Sequence, residues 1–127
     1  MHLPVTALFS ALHIVFNVAL AGNVSRVRAK TNIFLGGADS PELLLAQRRH
    51  ANNAEYLPLA LLALALVELN GGSATALYAL GATLTLGRVI HAIGVGPTPS
   101  PLRAGGAVLT WLVMAGAAVY AAVLGMH

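Results

Sequence analysis

The chain has 127 residues, of which 57% are hydrophobic and only 9% are charged, whereas soluble domains carry roughly 25% charged residues. A soluble fold of this size would expose about a third of its surface and has too few polar side chains to cover it, so the composition predicts an integral membrane protein. The formal charge of +3 is too small for nucleic-acid binding, and the lack of cysteine excludes disulfides, a thiol nucleophile and a thiolate metal site.

Four apolar stretches divide the chain, and each is long enough to cross about 30 Å of hydrocarbon. The predicted helices cover residues 3–28, 40–69, 73–94 and 101–125, and we expect one all-α membrane domain over residues 1–127. The first stretch lacks a basic start and carries His13 and Asn17, so we expect it to be retained rather than cleaved as a signal peptide. Such polar residues usually join neighbouring membrane helices, and we expect this role for both.

Residues in the connecting loops predict where the last three helices begin. Ser40 and Ser100 each precede a proline, which fits an N-cap followed by the first helical position. Ser73 follows the turn Asn70-Gly71-Gly72 and can cap the third helix. The predicted loops are therefore short, and no second domain is expected.

All seven cationic side chains lie on one side of this predicted bundle. They follow the first helix, lie early in the second or flank the third connection: Arg26, Arg28, Lys30, Arg48, Arg49, Arg88 and Arg103. The turn at the opposite side has no Lys or Arg, so the positive-inside rule predicts that both termini are non-cytoplasmic. We expect Gly37 and Pro97 on the cytoplasmic side, and Gly71 and His127 on the other.

Helix rise predicts that two charges lie at the same depth. Glu55 is fifteen residues from Asn70, and Arg88 is fifteen residues from Ser73, which is roughly 22 Å in both cases and still within the hydrocarbon core. An isolated charge near the bilayer centre costs on the order of 3 kcal/mol. We therefore expect Glu55 and Arg88 to form an intramembrane ion pair.

Two polar helix faces occur at this depth. Arg48, Asn52 and Glu55 are spaced i, i+4, i+7 and share one face of the second helix. Arg88 and His91 are spaced i, i+3 on the third helix. The two faces are expected to line one pocket, because ionisable residues inside a membrane are usually functional.

Other residues with potential chemistry are assigned to structure. His50 and His91 have neither an HExxH motif nor companion acids, so no metal site is expected. The tyrosines and the single tryptophan, Tyr56 and Trp111 among them, lie on apolar stretches and are expected to pack or to anchor the helices at the interface.

The segment from Arg48 to Pro58, RRHANNAEYLP, contains the pattern R-x-x-x-N-x-x-E-x-x-P. It resembles the signature of the MAPEG family, the membrane-associated proteins in eicosanoid and glutathione metabolism. Similar segments follow the family's order over nearly the whole chain: Arg26-x-Arg28, residues 35–39 (LGGAD), residues 87–94 (GRVIHAIG) and residues 101–106 (PLRAGG). The resemblance implies a four-helix protomer, a homotrimer and glutathione bound in clefts between subunits on the cytosolic side.

Glutathione is a net anionic tripeptide whose thiol reacts as the thiolate. Arginines in a partly desolvated cleft can bind its carboxylates and favour the thiolate. The resemblance implies that the glutathione ligands are Arg48, Asn52, Glu55, Arg88 and His91, with Arg26 and Arg28 as further contacts. Ala51 and Val95 stand where some family members have arginine and tyrosine, so stabilisation of the thiolate is assigned to Arg103 or to a neighbouring subunit.

These inferences predict a bacterial inner-membrane glutathione transferase or peroxidase that acts on lipophilic electrophiles reaching the site from the bilayer. The alternative is a non-catalytic protein of the same fold that holds a lipid or a partner helix. Small multidrug transporters are also four-helix chains with one intramembrane glutamate. Their glutamate usually lies in the first helix, whereas Glu55 lies in the second beside arginines, which disfavours cation export.

Overall fold

The computed structural model describes residues 2–37 and 39–126; Ala38 of the LGGAD segment and both terminal residues, including His127, lie outside the described part. Four α-helices follow in chain order: α1 (Pro4–Thr31), α2 (Pro41–Leu69), α3 (Ala74–Gly94) and α4 (Pro101–Gly125). The all-helical architecture confirms the predicted fold class. Helix α1 ends at Thr31, three residues beyond the predicted end at residue 28. Its C-cap, Asn32, adopts a left-handed φ of 56°.

Serine and proline residues define the starts of the last three helices. The Ser40 hydroxyl accepts a hydrogen bond from the Leu43 amide at 3.4 Å, and the Ser73 hydroxyl accepts one from the Ala76 amide at 3.2 Å. Ser100 occupies the N-cap position of α4, but its side chain makes no cap hydrogen bond. The start of α4 therefore depends on the fixed φ of the following proline rather than on the predicted hydroxyl cap.

A carboxylate from α2 caps the first turn of α1. The two Glu68 carboxylate oxygens accept hydrogen bonds from the amides of Val5 and Thr6 at 2.9 Å and 2.7 Å. An acidic group is favourable there because the first amides of a helix lack intrahelical acceptors and carry partial positive charge. This contact fixes the start of α1 against the end of α2, at the end of the bundle opposite most of the arginines.

The helices pack with α2 and α3 at the centre, α1 against both of them, and α4 against α3 and α2. The main apolar core includes Phe9, Leu64, Leu77 and Val113. Large apolar side chains also point outward, and Leu112, for example, is 63% exposed. An apolar exterior around an apolar core is what a bundle needs when lipid is its solvent.

Three of the four helices, α1, α3 and α4, are long and apolar enough to cross a membrane. The 21 residues of α3 give a length of about 31 Å, which matches the hydrocarbon thickness. The remaining helix, α2, has 29 residues and continues through Pro58. The charged residues in its first third, Glu42, Arg48 and Arg49, make it less apolar than the other helices.

Two polar residues of α1 connect it to neighbouring helices. A ring nitrogen of the buried His13 lies 3.3 Å from the Thr85 hydroxyl of α3, and the Asn17 side-chain oxygen accepts a hydrogen bond from Asn53 of α2 at 3.0 Å. The predicted role of His13 and Asn17 in joining helices is confirmed by these contacts.

Candidate functional site

The Arg88 guanidinium lies inside the bundle, where the side chain is only 1% exposed. Its Nε donates to Asn53 at 3.1 Å, one Nη donates to Asn52 at 2.7 Å, and the other Nη lies 3.5 Å from the Thr110 hydroxyl. The Tyr56 ring centroid is 5.8 Å from the guanidinium carbon, within cation–π distance. Neutral groups from α2 and α4 therefore hold this cation of α3.

The partners of Arg88 are themselves fixed in orientation. The Asn53 amide nitrogen donates to Asn17 of α1, so its oxygen is left to accept from Arg88. The Thr110 hydroxyl donates to the Gly106 carbonyl at 2.8 Å, which directs its lone pairs toward the guanidinium. A hydrogen-bonded network of side chains thus joins all four helices at the level of Arg88.

The predicted ion pair between Glu55 and Arg88 is wrong for this protomer. Glu55 is exposed, and within the described residues the ion pair found is between Lys30 and Glu42, at 2.9 Å on the surface. Helix rise predicts only the depth of a residue in the bilayer. The direction of its side chain changes by about 100° around the helix axis with each residue. Asn53 faces the interior, and Glu55, two residues later, points away from it.

A cavity of about 410 Å³ adjoins Arg88, within the roughly 300–1,000 Å³ usual for small-molecule sites. We name it the Arg88 cavity. Its polar lining consists of Asn52, Tyr56, Arg88, His91, Ser100 and Arg103. Ala104, Ala107 and Trp111 of α4 supply an apolar wall. A ligand with both polar and apolar parts suits such a lining.

A smaller cavity of about 260 Å³ shares Asn52, His91 and Arg103 with the Arg88 cavity. Arg48 and Val95 belong to its remaining lining, and we name it the Arg48 cavity. Because the two cavities share three residues, they form one polar cleft that three arginine side chains border.

His91 has an unsatisfied atom in this cleft. The side chain is 4% exposed, and its buried Nδ1 has no hydrogen-bond partner among the described residues. Buried polar atoms in proteins are nearly always hydrogen-bonded, so an orphaned one at a cavity wall indicates a missing partner.

The structure brings together four of the predicted site residues, Asn52, Arg88, His91 and Arg103, around the Arg88 cavity, and places Arg48 in the adjoining one. Glu55, Arg26 and Arg28 line neither cavity in the protomer. Arg26 donates to Asn23 at 2.9 Å, and Arg28 donates to the Ile33 carbonyl at 3.0 Å, so their contacts are local.

Sequence reasoning missed several residues of this site. Tyr56 and Trp111 line the Arg88 cavity, although they were assigned to packing or to the interface. Asn53 and Thr110 hold the buried guanidinium but were not predicted to do so. The adjacent pair of asparagines in a membrane helix was the available signal, because two neighbouring amides can accept from two nitrogens of one guanidinium.

Close contact between α3 and α4 positions the two sides of the cleft. A Cβ atom on Gly106 would lie 2.5 Å from the Gly87 carbonyl oxygen and 2.6 Å from the His91 amide nitrogen. A Cβ atom on Gly94 would overlap the backbone of Arg103. These glycines allow the backbones to approach closely, and this approach brings His91 and Arg103 to the same cavity.

Comparisons with known proteins concern the family of the chain. The model of the MAPEG family matches residues 6–123. Over 110 residues the chain is 28% identical to the inner membrane protein YecN of Escherichia coli K12, covering 87% of this chain and 84% of that protein. YecN of E. coli O6:H1 strain CFT073 matches with the same identity and coverage. No solved structure matches.

Proposed function

The chain belongs to the MAPEG family, and from this premise we propose that it is a glutathione-binding membrane enzyme, a transferase or peroxidase for lipophilic electrophiles. The observation that carries the proposal is the buried Arg88 guanidinium beside a cavity of suitable size, with only neutral hydrogen-bond partners in the protomer. A buried cation without a counter-ion is costly, so an anionic ligand is favourable at that position.

The residues of the cleft fit the chemistry of glutathione. Arg88 and Arg48 offer guanidinium donors to its two carboxylates, a pairing that is short and directional. Asn52 and the orphaned His91 Nδ1 can hydrogen-bond its peptide groups or its amine. Arg103 lies at the exposed rim, where its charge favours the thiolate over the thiol.

The glutathione sulfur would bond to an electrophilic carbon, either displacing a leaving group or adding across an activated double bond that then takes up a proton. With a lipid hydroperoxide it would attack the peroxide oxygen and break the O–O bond, which releases the lipid alcohol, and a second glutathione would reduce the resulting sulfenic acid to the disulfide and water. The apolar wall of Ala104, Ala107 and Trp111 provides a surface for such a substrate. The protein's part is to hold the anionic tripeptide, to orient its sulfur toward that wall and to exclude water.

We expect glutathione titration of the purified protein to give saturable binding and an ultraviolet thiolate band. Arg48→Ala should weaken binding by roughly 10- to 100-fold, since a charge-assisted hydrogen bond contributes roughly 1.5–3 kcal/mol. Lys30→Ala removes an equal charge from a surface ion pair outside both cavities and serves as the control. Saturable binding without turnover of electrophiles or hydroperoxides would favour the non-catalytic lipid- or partner-binding alternative, and no binding would refute the proposal.

A homotrimer is the expected assembly. Glu55, Arg26 and Arg28 lie outside both cavities of their own protomer, and clefts between subunits would allow them to reach the glutathione of a neighbour. Native mass spectrometry in mild detergent should therefore give three copies, and glutathione affinity should fall when the trimer dissociates. A stable monomer with full affinity would contradict this arrangement.

The expected membrane is the bacterial inner membrane, because the relative YecN is named an inner membrane protein. With the cationic end in the cytoplasm, labelling of single cysteines with a membrane-impermeant reagent should modify Gly71→Cys but neither Gly37→Cys nor Pro97→Cys. The C-terminal His127 should share the side of Gly71. Labelling of Pro97→Cys from outside would reverse the orientation.

A further inference from the structure

A separate cleft of about 360 Å³ lies between α1 and α3 and shares no lining residue with the Arg88 and Arg48 cavities. We name it the Arg49 cleft. Its lining is Phe16, Leu20, Asn23, Arg49, Val89, Ala92 and Ile93. Ile93 is 66% exposed, so the cleft is open along the outer surface of the protomer.

Arg49 carries an unneutralised charge in this cleft. One of its Nη atoms donates to the Val95 carbonyl at 2.7 Å, and its buried Nε has no hydrogen-bond acceptor among the described residues. No carboxylate of those residues lies within 4.0 Å of it. Asn23, across the cleft, is also a neutral group, and its side-chain oxygen already accepts a hydrogen bond from Arg26.

The polar end of the Arg49 cleft lies at the level of the lipid headgroups, and its apolar part lies at the level of the acyl chains. Val95 is the C-cap of α3, so Arg49 lies where the span ends and headgroups begin. Ile93 and Val89 are spaced one helical turn apart on α3, and the apolar residues Leu20 and Phe16 precede Asn23 on α1. The cleft therefore runs from a cationic end into an apolar groove.

We propose that the Arg49 cleft binds an anionic phospholipid, with its phosphate on Arg49 and one acyl chain along Phe16, Leu20, Val89 and Ile93. The phosphate diester supplies the acceptor and the negative charge that the protein does not provide. Basic pockets between membrane helices at the cationic side suit anionic headgroups. The apolar groove distinguishes a lipid from free phosphate, which would occupy only the cationic end.

The test is native mass spectrometry of the full chain exchanged into detergent with phosphatidylglycerol, with phosphatidylcholine, or with inorganic phosphate. Phosphatidylglycerol should be retained selectively. Arg49→Gln should reduce its retention by about tenfold through loss of a charge-assisted hydrogen bond, while Lys30→Gln, an equal charge change on the surface, should not. Ile93→Trp should also reduce retention by filling the groove, while Leu86→Trp, on the exposed side of the same helix but outside the cleft, should not.

Ile93→Trp keeps the proposal testable if Arg49→Gln fails to fold, which thermal unfolding of each variant would reveal. Equal retention of phosphatidylglycerol and phosphatidylcholine would overturn the proposal. So would full competition by inorganic phosphate, which would indicate a simple anion site. A change in subunit number in Ile93→Trp with unchanged lipid retention would overturn it as well, by showing that a second copy covers this face.

Discussion

Arg88→Met and Asn53→Leu are expected to be strongly coupled in stability. Either change alone strands a buried polar partner: Asn53→Leu leaves the Arg88 Nε without its acceptor, and Arg88→Met leaves the Asn53 oxygen without its donor. Each should lower the free energy of unfolding by about 2–4 kcal/mol, because unsatisfied buried groups cost about 1–3 kcal/mol and more when charged. The double variant should recover about 1–3 kcal/mol relative to the sum of the single effects.

Glu55→Gln provides the matched comparison. Glu55 is exposed and lies outside the network, so its effect should add to that of Arg88→Met within about 0.5 kcal/mol. Thermal or denaturant unfolding in detergent would measure both cycles. Strong coupling of Arg88 with Glu55, or additivity with Asn53, would contradict the hydrogen-bond network. Glutathione binding should be lost in every variant that lacks Arg88, whether or not stability is restored.

The fold could be predicted from the sequence because its signals are local. Apolar stretches of membrane-spanning length, the proline residues at the helix starts and the Asn70-Gly71-Gly72 turn predicted all four helices, with boundaries within a few residues of the observed ones. The cap of α1 could not be predicted, because the Glu68 carboxylate reaches it from 62 residues away in the chain. Local patterns contain no information about such a contact.

The candidate site could be predicted only in part, because depth and rotation around the helix axis are separate quantities. Arg88 and His91 line the same cavity, as their spacing predicted. On the predicted face of α2, Arg48 and Glu55 are exposed. Of the three residues on that face, Asn52 is the one that contacts the buried guanidinium. Choosing between Asn53 and Glu55 as the partner of Arg88 requires the rotation of α2 relative to α3, which depends on packing over the whole bundle.

Gly106→Ala is expected to damage both stability and ligand binding. The added methyl group would meet the Gly87 carbonyl at 2.5 Å and the His91 amide at 2.6 Å, and both are backbone atoms of α3 that cannot move aside independently. The helices must separate, and overpacking of this kind costs about 1–3 kcal/mol. Since Arg103 and His91 lie on opposite sides of this contact, glutathione affinity should fall as well.

Gly105→Ala is the control for this prediction, because it makes the same chemical change one position earlier in α4. Nothing lies within 4 Å of its added Cβ, and alanine is the better helix former by up to about 1 kcal/mol. Gly105→Ala should therefore leave stability unchanged or raise it, and should leave glutathione affinity intact. Thermal unfolding and glutathione titration of the two variants side by side would check this. Equal behaviour of the two would mean that the α3 to α4 contact does not position the cleft.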